Sequence, residues 1–181
     1  MLAPVDVTHI RIETERMILR PWRESDLADL YEYASVKGVG ENAGWNPHAS
    51  LEESEKILQM FMSHRKVFAL ELKENGKVIG SLGLEEPNPD PVEDGYGREI
   101  GYVLSKDYWG RGLMPEAVRG VIDYCFKILS YDFLTCGHFV QNNRSRRVIE
   151  KIGFTYFGES EYPTQRGIVE ISKNYIMYNK R

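Results

Sequence analysis

The chain has 181 residues, enough for one domain with a full hydrophobic core and too few for two of ordinary size. Hydrophobic residues make up 42% of it and charged residues 28%, and no apolar run approaches the roughly 20 residues of a membrane-spanning helix. The net charge of -4 gives no basic footprint for nucleic acid, so we expect a soluble protein that binds neither nucleic acid nor membrane.

The N-terminus and the cysteines bear on the compartment and on metal binding. Residues 1–17 lack the basic lead and the apolar core of a signal peptide, so we expect a cytoplasmic protein. The two cysteines, Cys125 and Cys136, and the four histidines show neither zinc-ligand spacing nor a redox motif. We therefore expect no metal and interpret both cysteines as small core residues.

The first part of the chain predicts a strand, a helix, a loop and the start of a second helix. Residues 16–22 (RMILRPW) alternate as a short strand, and Ser25-Asp26 begins a helix. Residues 36–50 are rich in glycine, asparagine and proline, which predicts a loop. Ser50 and Glu53 form a capping box, so a second helix should begin there.

A hairpin and an acidic segment follow. Residues 67–72 and 77–84 are strand-like, and the Asn-Gly pair between them is a strong hairpin signal, so these strands should pair antiparallel. Residues 85–97 contain three prolines and five acidic residues, which predicts a mobile excursion. It is not a domain boundary, because the runs on either side need each other to form a sheet.

Residues 98–128 predict a strand, a tight glycine turn and a helix. The strand covers residues 98–104, and the turn carries Gly110 and Gly112. Such a unit leaves backbone N–H groups unpaired at the helix start, with the positive end of the helix dipole behind them, so phosphate binds there readily. A plain helix-capping loop is the alternative. The apolar positions of the helix recur at spacings of three and four residues: Met114, Ala117, Val118, Val121, Cys125 and Ile128.

The last third of the chain predicts three strands and a short helix. The strands cover residues 133–140, 154–158 and 168–178, the helix covers residues 142–152, and a loop covers residues 159–167. The full order is therefore strand, two helices, three strands, helix, strand, helix and two strands. The sequence contains no internal repeat.

This order, the glycine turn and the run NRSRRVIEKIGF together resemble the GCN5-related N-acetyltransferase superfamily, and more narrowly its ribosomal-protein N-terminal acetyltransferase-like branch. The resemblance covers nearly the full chain and implies an α/β (α+β) fold. Residues 1–181 would form a single acyl-CoA N-acyltransferase domain, with a mixed, mostly antiparallel seven-stranded sheet, about four helices on its two faces and a splayed central cleft. Acetyl-CoA would be the cosubstrate.

The superfamily's phosphate-turn motif, Gln/Arg-x-x-Gly-x-Gly/Ala, falls on residues 109–114. Only Gly112 matches it strictly, because Trp109 stands where Gln or Arg is usual and Met114 makes the helix entry bulkier. Pyrophosphate should still bind, since backbone N–H groups hold it. A second matching segment runs from Asn142 through Phe154. The resemblance implies cofactor contacts for Tyr102, Val103, Leu104, Trp109, Gly110, Arg111, Gly112, Leu113, Met114, Asn142 and Ser145.

The resemblance also implies catalytic roles. The superfamily commonly carries its base on the strand before the turn, which assigns Glu99 here, and partial desolvation would raise the pKa of that carboxyl to suit the role. A surface carboxylate paired with a neighbour such as Arg98 is the alternative. The usual position of a tyrosine acid holds Ile149, so Ser145, at the branch's own position, or a water would protonate the leaving thiolate.

Two further implications concern the bound cofactor. A backbone N–H near Tyr102 or Val103 would hold the developing oxyanion. Arg144, Arg146 and Arg147 either meet the 3′-phosphate of the cofactor or form a solvated helix face.

The acceptor is less well determined. In the resembled branch the loop that carries Trp45 and His48 lies beside the acceptor pocket, so both are candidate substrate contacts, and Tyr162 either lines that pocket or packs in the core or at the surface. The implied reaction is acetyl transfer to a primary amine, of a protein N-terminus or a small molecule, by direct attack in a ternary complex; a non-catalytic acyl-CoA-binding or sensing module is the alternative. The acidic segment, residues 85–94, would favour a cationic acceptor if it lined the pocket. We expect a monomer or a homodimer.

Overall fold

The computed structural model describes residues 1–91 and 95–180, which form one mixed sheet with helices on both faces. The helices are Leu27–Ala34 (α1), Leu51–His64 (α2), Leu113–Lys127 (α3) and Asn143–Ile152 (α4). The strands are Ile12–Glu13 (β1), Met17–Pro21 (β2), Val67–Leu72 (β3), Val78–Glu85 (β4), Gly97–Leu104 (β5), Phe133–Phe139 (β6), Thr155–Pro163 (β7) and Val169–Tyr178 (β8).

Within the described residues the strand order is β1-β2-β3-β4-β5-β6-β8-β7. All neighbouring pairs are antiparallel except β5 and β6, which are parallel. The predicted fold class, a mixed and mostly antiparallel sheet with four helices, is confirmed. The sheet has one strand more than predicted, because β1 contains only two residues, too few to display an alternating pattern.

The predicted loop at residues 159–167 is wrong in its first half. β7 continues to Pro163 and pairs with β8 over its whole length, with Ser160 opposite Ser172 and Pro163 opposite Val169. β7 is an edge strand, and its residues from Glu159 onward are mostly exposed and polar. Edge strands tolerate such residues, so no apolar alternation marks this half of the strand in the sequence.

Two hydrophobic clusters hold the layers together. Successive residues of β3 alternate between them: Phe68 and Leu70 face the cluster under α3 and α4, whereas Val67 and Ala69 face the cluster under α1 and α2. The predicted core cysteines are both buried in the first cluster, as expected. None of the described helices is long and apolar enough to cross a lipid bilayer.

β5 and β6 separate halfway along their length. They pair only from Gly97 opposite Phe133 to Ile100 opposite Cys136. Beyond Ile100, β5 continues to pair with β4 as far as Leu104, while β6 continues to pair with β8. A gap therefore opens in the middle of the sheet, which is the predicted central splay. Residues 92–94 of the predicted acidic excursion lie outside the described residues.

Candidate active site

A cleft of about 430 Å³ occupies the gap between β5 and β6. Its walls are the open half of β5, the end of β6, the glycine turn before α3, the exposed side of α4 and the loop after α1. The cleft brings together most of the residues proposed from the sequence: Glu99, Tyr102, Val103, Leu104, Trp109, Gly110, Gly112, Leu113, Met114, Asn142, Ser145 and Tyr162. Its described lining does not include Arg111, Trp45 or His48.

The glycine turn ends in an uncapped helix. Gly110 and Gly112 have φ angles of +77° and +73°, a left-handed conformation that side chains disfavour. Gly112 is the N-cap of α3, and no side chain accepts a hydrogen bond from the first turn. Pro115 has no N–H, and the Glu116 N–H donates to the Gly112 carbonyl at 3.3 Å. The N–H groups of Leu113 and Met114 have no acceptor four residues before them within the helix, and such groups suit an anion. The Met114 side chain is buried in the first cluster and also forms part of the cleft lining.

Arg16 holds the glycine turn from outside. Its guanidinium donates to the Arg111 carbonyl at 2.9 Å and to the Glu116 carboxylate at 2.9 Å. Glu116, in the first turn of α3, also accepts from the Thr14 hydroxyl at 2.6 Å. The Arg111 side chain stacks instead on Tyr108, 5.1 Å from the ring centroid. Sequence reasoning missed Arg16 because it lies 95 positions before the turn that it supports.

Trp109 connects the two sides of the cleft mouth. Its indole N–H donates to the Leu104 carbonyl at 2.9 Å, at the end of β5. The guanidinium carbon of Arg144, in the first turn of α4, lies 3.3 Å from the centroid of the Trp109 ring. Such cation–π stacking favours an arginine over an aromatic face. The tryptophan therefore has a structural role at a position where Gln or Arg is usual in the motif.

Glu99 is half-buried in the cleft, and its environment favours the protonated carboxyl. Burial raises its pKa to about 7, with a further increase from the negative charge of Glu85, its neighbour on β4. The Asn88 backbone N–H, which donates to Glu99 at 3.2 Å, and the Thr135 hydroxyl oppose that increase. Arg98, the ion-pair partner considered from sequence, instead donates to the Ala3 carbonyl at 2.6 Å.

Two hydroxyl groups meet on the opposite side of the cleft. The hydroxyls of Tyr102 and Ser145 are 2.8 Å apart, and burial raises the pKa of Tyr102 well above its ordinary value. Asn142 positions Ser145, because its side-chain oxygen accepts from the Ser145 backbone N–H at 3.2 Å. Ile149 is buried in the core. The strand β5 and the start of α4 thus bring two hydroxyl groups together in the cleft.

The loop after α1 reaches the cleft through residues other than those expected. His48 is buried, and its Nδ1 lies 2.7 Å from the Ser54 hydroxyl. Trp45 packs on Gly40, where a Cβ would overlap its ring. Val39, Asn42 and Ala43 line the cleft in their place. We found no sequence signal that separates these small residues from the conspicuous aromatic ones.

Tyr162 lines the cleft where β7 approaches the end of β6. Its ring is 5.5 Å from that of Phe139. Burial raises the pKa of Tyr162, and the negative charges of Glu99 and Glu85 raise it further. The phenol is therefore a neutral neighbour of the two carboxylates.

Known proteins resemble the chain over most of its length. The sequence profile of the acetyltransferase (GNAT) domain matches residues 16–155. A Bacillus licheniformis protein named uncharacterized N-acetyltransferase p20 is 28% identical over 147 residues, which cover 78% of this chain and 80% of that protein. The structure of a GNAT-family acetyltransferase from Bacillus anthracis matches with a TM-score of 0.83 at 21% identity, covering 95% of this chain and 100% of that one. That of a ribosomal-protein-S5-alanine acetyltransferase from Vibrio fischeri matches with a TM-score of 0.71 at 23% identity, covering 94% and 97%.

Proposed function

The chain belongs to the acetyltransferase (GNAT) domain family and is an N-acetyltransferase of that type, and we propose that it acts as a single domain on a primary amine of a protein N-terminus or a small molecule. The acetyl donor is acetyl-CoA, and attack is direct, within a ternary complex. One observation carries this proposal. The same cleft holds an uncapped helix N-terminus, a half-strand without its parallel partner, and a carboxyl whose pKa is about 7.

The cleft suits a long thioester with a phosphate end. The backbone N–H groups at the start of α3 would hold the pyrophosphate. Beyond Ile100 the edge of β5 that faces β6 has no strand partner among the described residues, so its N–H and C=O groups can pair with the amides of the pantetheine arm. An N–H of Tyr102 or Val103 would then point at the thioester oxygen. Bound acetyl-CoA supplies an activated acetyl group.

Direct attack fits the side chains present. Both cysteines are buried, and burial raises the pKa of Cys125 to about 12, so neither is a ready thiolate nucleophile. The amine nitrogen would bond to the acetyl carbon as the carbon–sulfur bond breaks. Glu99 would take the proton that the amine loses, and the hydroxyl pair of Tyr102 and Ser145 would give a proton to the departing thiolate. N-acetylated amine and free CoA result.

Calorimetry and steady-state kinetics test this function. We expect acetyl-CoA to bind at micromolar to millimolar concentration, and thiol release to depend on an added amine from a panel of peptides with free N-termini and small amines. Varying both substrates should give intersecting double-reciprocal lines, as a ternary complex requires. Failure to bind acetyl-CoA at millimolar concentration contradicts the proposal, and binding without turnover on the whole panel would point to a non-catalytic acyl-CoA-binding module.

The hydroxyl pair provides a separate prediction. We expect Tyr102→Phe to lower kcat by about 100-fold, because the buried phenol is the stronger acid of the pair and general acid catalysis typically contributes at least that factor. Ser145→Ala should have a smaller effect, since Tyr102 keeps its own proton. Rates and acetyl-CoA affinity are measured together, and affinity should change little in either variant. Unchanged kcat in Tyr102→Phe would assign the proton transfer to water.

A further inference from the structure

A chain of three hydrogen-bonded polar side chains joins β7 and β8 and ends in the cleft. The Asn174 side-chain amide donates to the Ser160 hydroxyl at 3.0 Å, and the Ser172 hydroxyl donates to the Asn174 side-chain oxygen at 3.2 Å. Ser172 and Asn174 are both buried. Of the three residues, only Ser172 belongs to the described lining of the cleft. The acetyl transfer proposed above assigns no role to this chain.

Gly137 leaves room for the Ser172 hydroxyl at the edge of the cleft. It lies on β6 opposite Asn174, and it also lines the cleft. A Cβ at Gly137 would lie 2.8 Å from the Ser172 hydroxyl oxygen and 3.3 Å from the Asn174 side-chain oxygen. A side chain at this position would therefore displace the Ser172 hydroxyl, which leans over β6. We call the surface formed by Gly137, Ser172 and Asn174 the Ser172 wall.

The direction of the hydrogen bonds determines what the Ser172 wall can bind. A serine has one hydroxyl proton, and Ser172 donates its proton to Asn174. Towards a molecule in the cleft, the Ser172 oxygen can therefore only accept a hydrogen bond. A ligand that donates an N–H fits this wall. An ether or ester oxygen in the same place would face another acceptor and leave a buried polar atom without a hydrogen bond, which costs free energy.

The Ser172 wall lies within reach of an acceptor whose amine is at Glu99. Glu99 pairs with Thr135, so Gly137 is one strand away from Glu99 and two residues further along, on the same face of the sheet. A strand spacing of about 4.8 Å and a rise of about 3.3 Å per residue place Glu99 and Gly137 roughly 8 Å apart. The Glu99 side chain occupies part of this distance. An amine at Glu99 and a donor at the wall are then about five bonds apart in one extended molecule.

We propose that the Ser172 wall binds an N–H group of the acceptor, so that the enzyme prefers amines with a second N–H donor about five bonds from the reacting nitrogen. This inference rests on the proposed function, and it adds a second point of contact to the one at Glu99. An amide of a peptide chain and the second amino group of a diamine both supply such a donor. The two sources differ in charge, so experiment can distinguish them.

Two probes of equal length test the inference: the N-methylamide and the methyl ester of 4-aminobutanoic acid. They differ only in that the amide has an N–H where the ester has an oxygen. With CoA bound to the protein, we expect calorimetry to give a dissociation constant about 10-fold lower for the amide, as one hydrogen bond to a buried acceptor supports. With acetyl-CoA, kcat/KM should differ by a similar factor. A lower KM for 1,4-diaminobutane than for the amide would indicate a diamine as the acceptor, and a higher KM would indicate a peptide chain.

Ser172→Ala should remove the preference by weakening the binding of the amide alone, because it deletes the accepting oxygen. Ser160→Ala is the matched control: it deletes the same kind of hydroxyl at the far end of the chain, outside the described lining of the cleft. Ser160 is half-buried, so water can replace its hydroxyl, and this variant should keep the preference. Thermal melting and the affinity for acetyl-CoA should change little in either variant.

The outcomes separate this inference from the proposed function. Equal affinity of the original protein for the amide and the ester would overturn the inference, as would a failure to bind either. A Ser172→Ala variant that keeps the preference, or that weakens both probes equally, would also overturn it. A preference in binding without acetylation of any probe would support the Ser172 wall as a binding site and contradict the proposed function.

Discussion

We expect Glu99→Gln to lower kcat by about 100- to 1,000-fold while the affinity for acetyl-CoA changes little, because general base catalysis typically contributes that much. Glutamine retains the size of the side chain and can still accept from the Asn88 N–H, but it cannot take a proton. The glycine turn and α4 are untouched. Single-turnover kinetics with saturating amine, together with calorimetry of acetyl-CoA, separate the two effects.

The pH dependence gives the assignment a second test. The base is active when ionised, and the pKa of Glu99 is about 7, so kcat should rise as the pH increases through about 7. The same midpoint should appear with two amines of different basicity, since the group that ionises is Glu99 of the enzyme and not the amine. Glu85→Gln is the matched control: it removes the like charge opposite Glu99, lowers the pKa of Glu99, and should move the limb to lower pH without abolishing turnover.

Glu99→Gln should also stabilise the fold at high pH. A raised folded-state pKa means that the folded protein holds a proton that the unfolded chain has already lost between about 4.5 and about 7. The contribution of Glu99 to the unfolding free energy therefore falls as the pH rises through this window. Glu99→Gln lacks that loss, so we expect it to be more stable than the original protein above pH 7. The expected gain is about 1–2 kcal/mol, below the roughly 3 kcal/mol of a fully buried group, because the side chain is partly exposed to solvent. Unchanged activity of Glu99→Gln would dismiss Glu99 as the base. If the difference in unfolding free energy between Glu99→Gln and the original protein is the same at pH 5 and at pH 8, the pKa of Glu99 is not raised in the folded protein.

We expect Gly101→Leu to abolish most activity without unfolding the protein. Gly101 is the first residue of β5 beyond the pairing with β6, and it lines the cleft on the same face as Glu99. A Cβ there would meet only the Glu85 side chain among the described residues, at 4.0 Å, so the fold can accept a side chain. The leucine would instead fill the space beside Glu99. We expect kcat/KM to fall at least about 100-fold, because small displacements of reacting groups already cost that much.

A graded series identifies the cause of that loss. Gly101→Ala adds one carbon and should lose much less activity than Gly101→Leu. Melting temperatures should stay close to that of the original protein, since glycine is a poor strand residue and a side chain does not weaken β5. Adenosine 3′,5′-bisphosphate, which lacks the pantetheine arm, should bind the leucine variant as it binds the original protein. Full activity in Gly101→Leu would show that the reaction does not pass through this part of the cleft.

Short sequence motifs predicted those elements that depend on interactions between residues close together in the chain. The Ser50 capping box gives an N-cap whose hydroxyl accepts from the Glu53 N–H at 3.2 Å. The glycine turn precedes α3 as expected, because the left-handed conformations at Gly110 and Gly112 require glycine. β7 was predicted too short because its second half is a strand only through its pairing with β8. The residues there are polar and exposed at the edge of the sheet, so they show no apolar alternation in the sequence.

The sequence by itself determined most of the order of elements and the glycine turn at the start of α3, since both follow from spacing along a continuous stretch. Glu99 became a candidate only through the resemblance of the strand that precedes this turn. Tertiary structure alone decided the environment of these groups. It turned Arg98 away from Glu99 towards Ala3, brought Arg16 to the glycine turn and set Tyr102 beside Ser145. The physical reason is that pKa values, ion pairs and cleft walls depend on distances between segments far apart in the chain, and such distances exist only once β5 and β6 have paired and then separated.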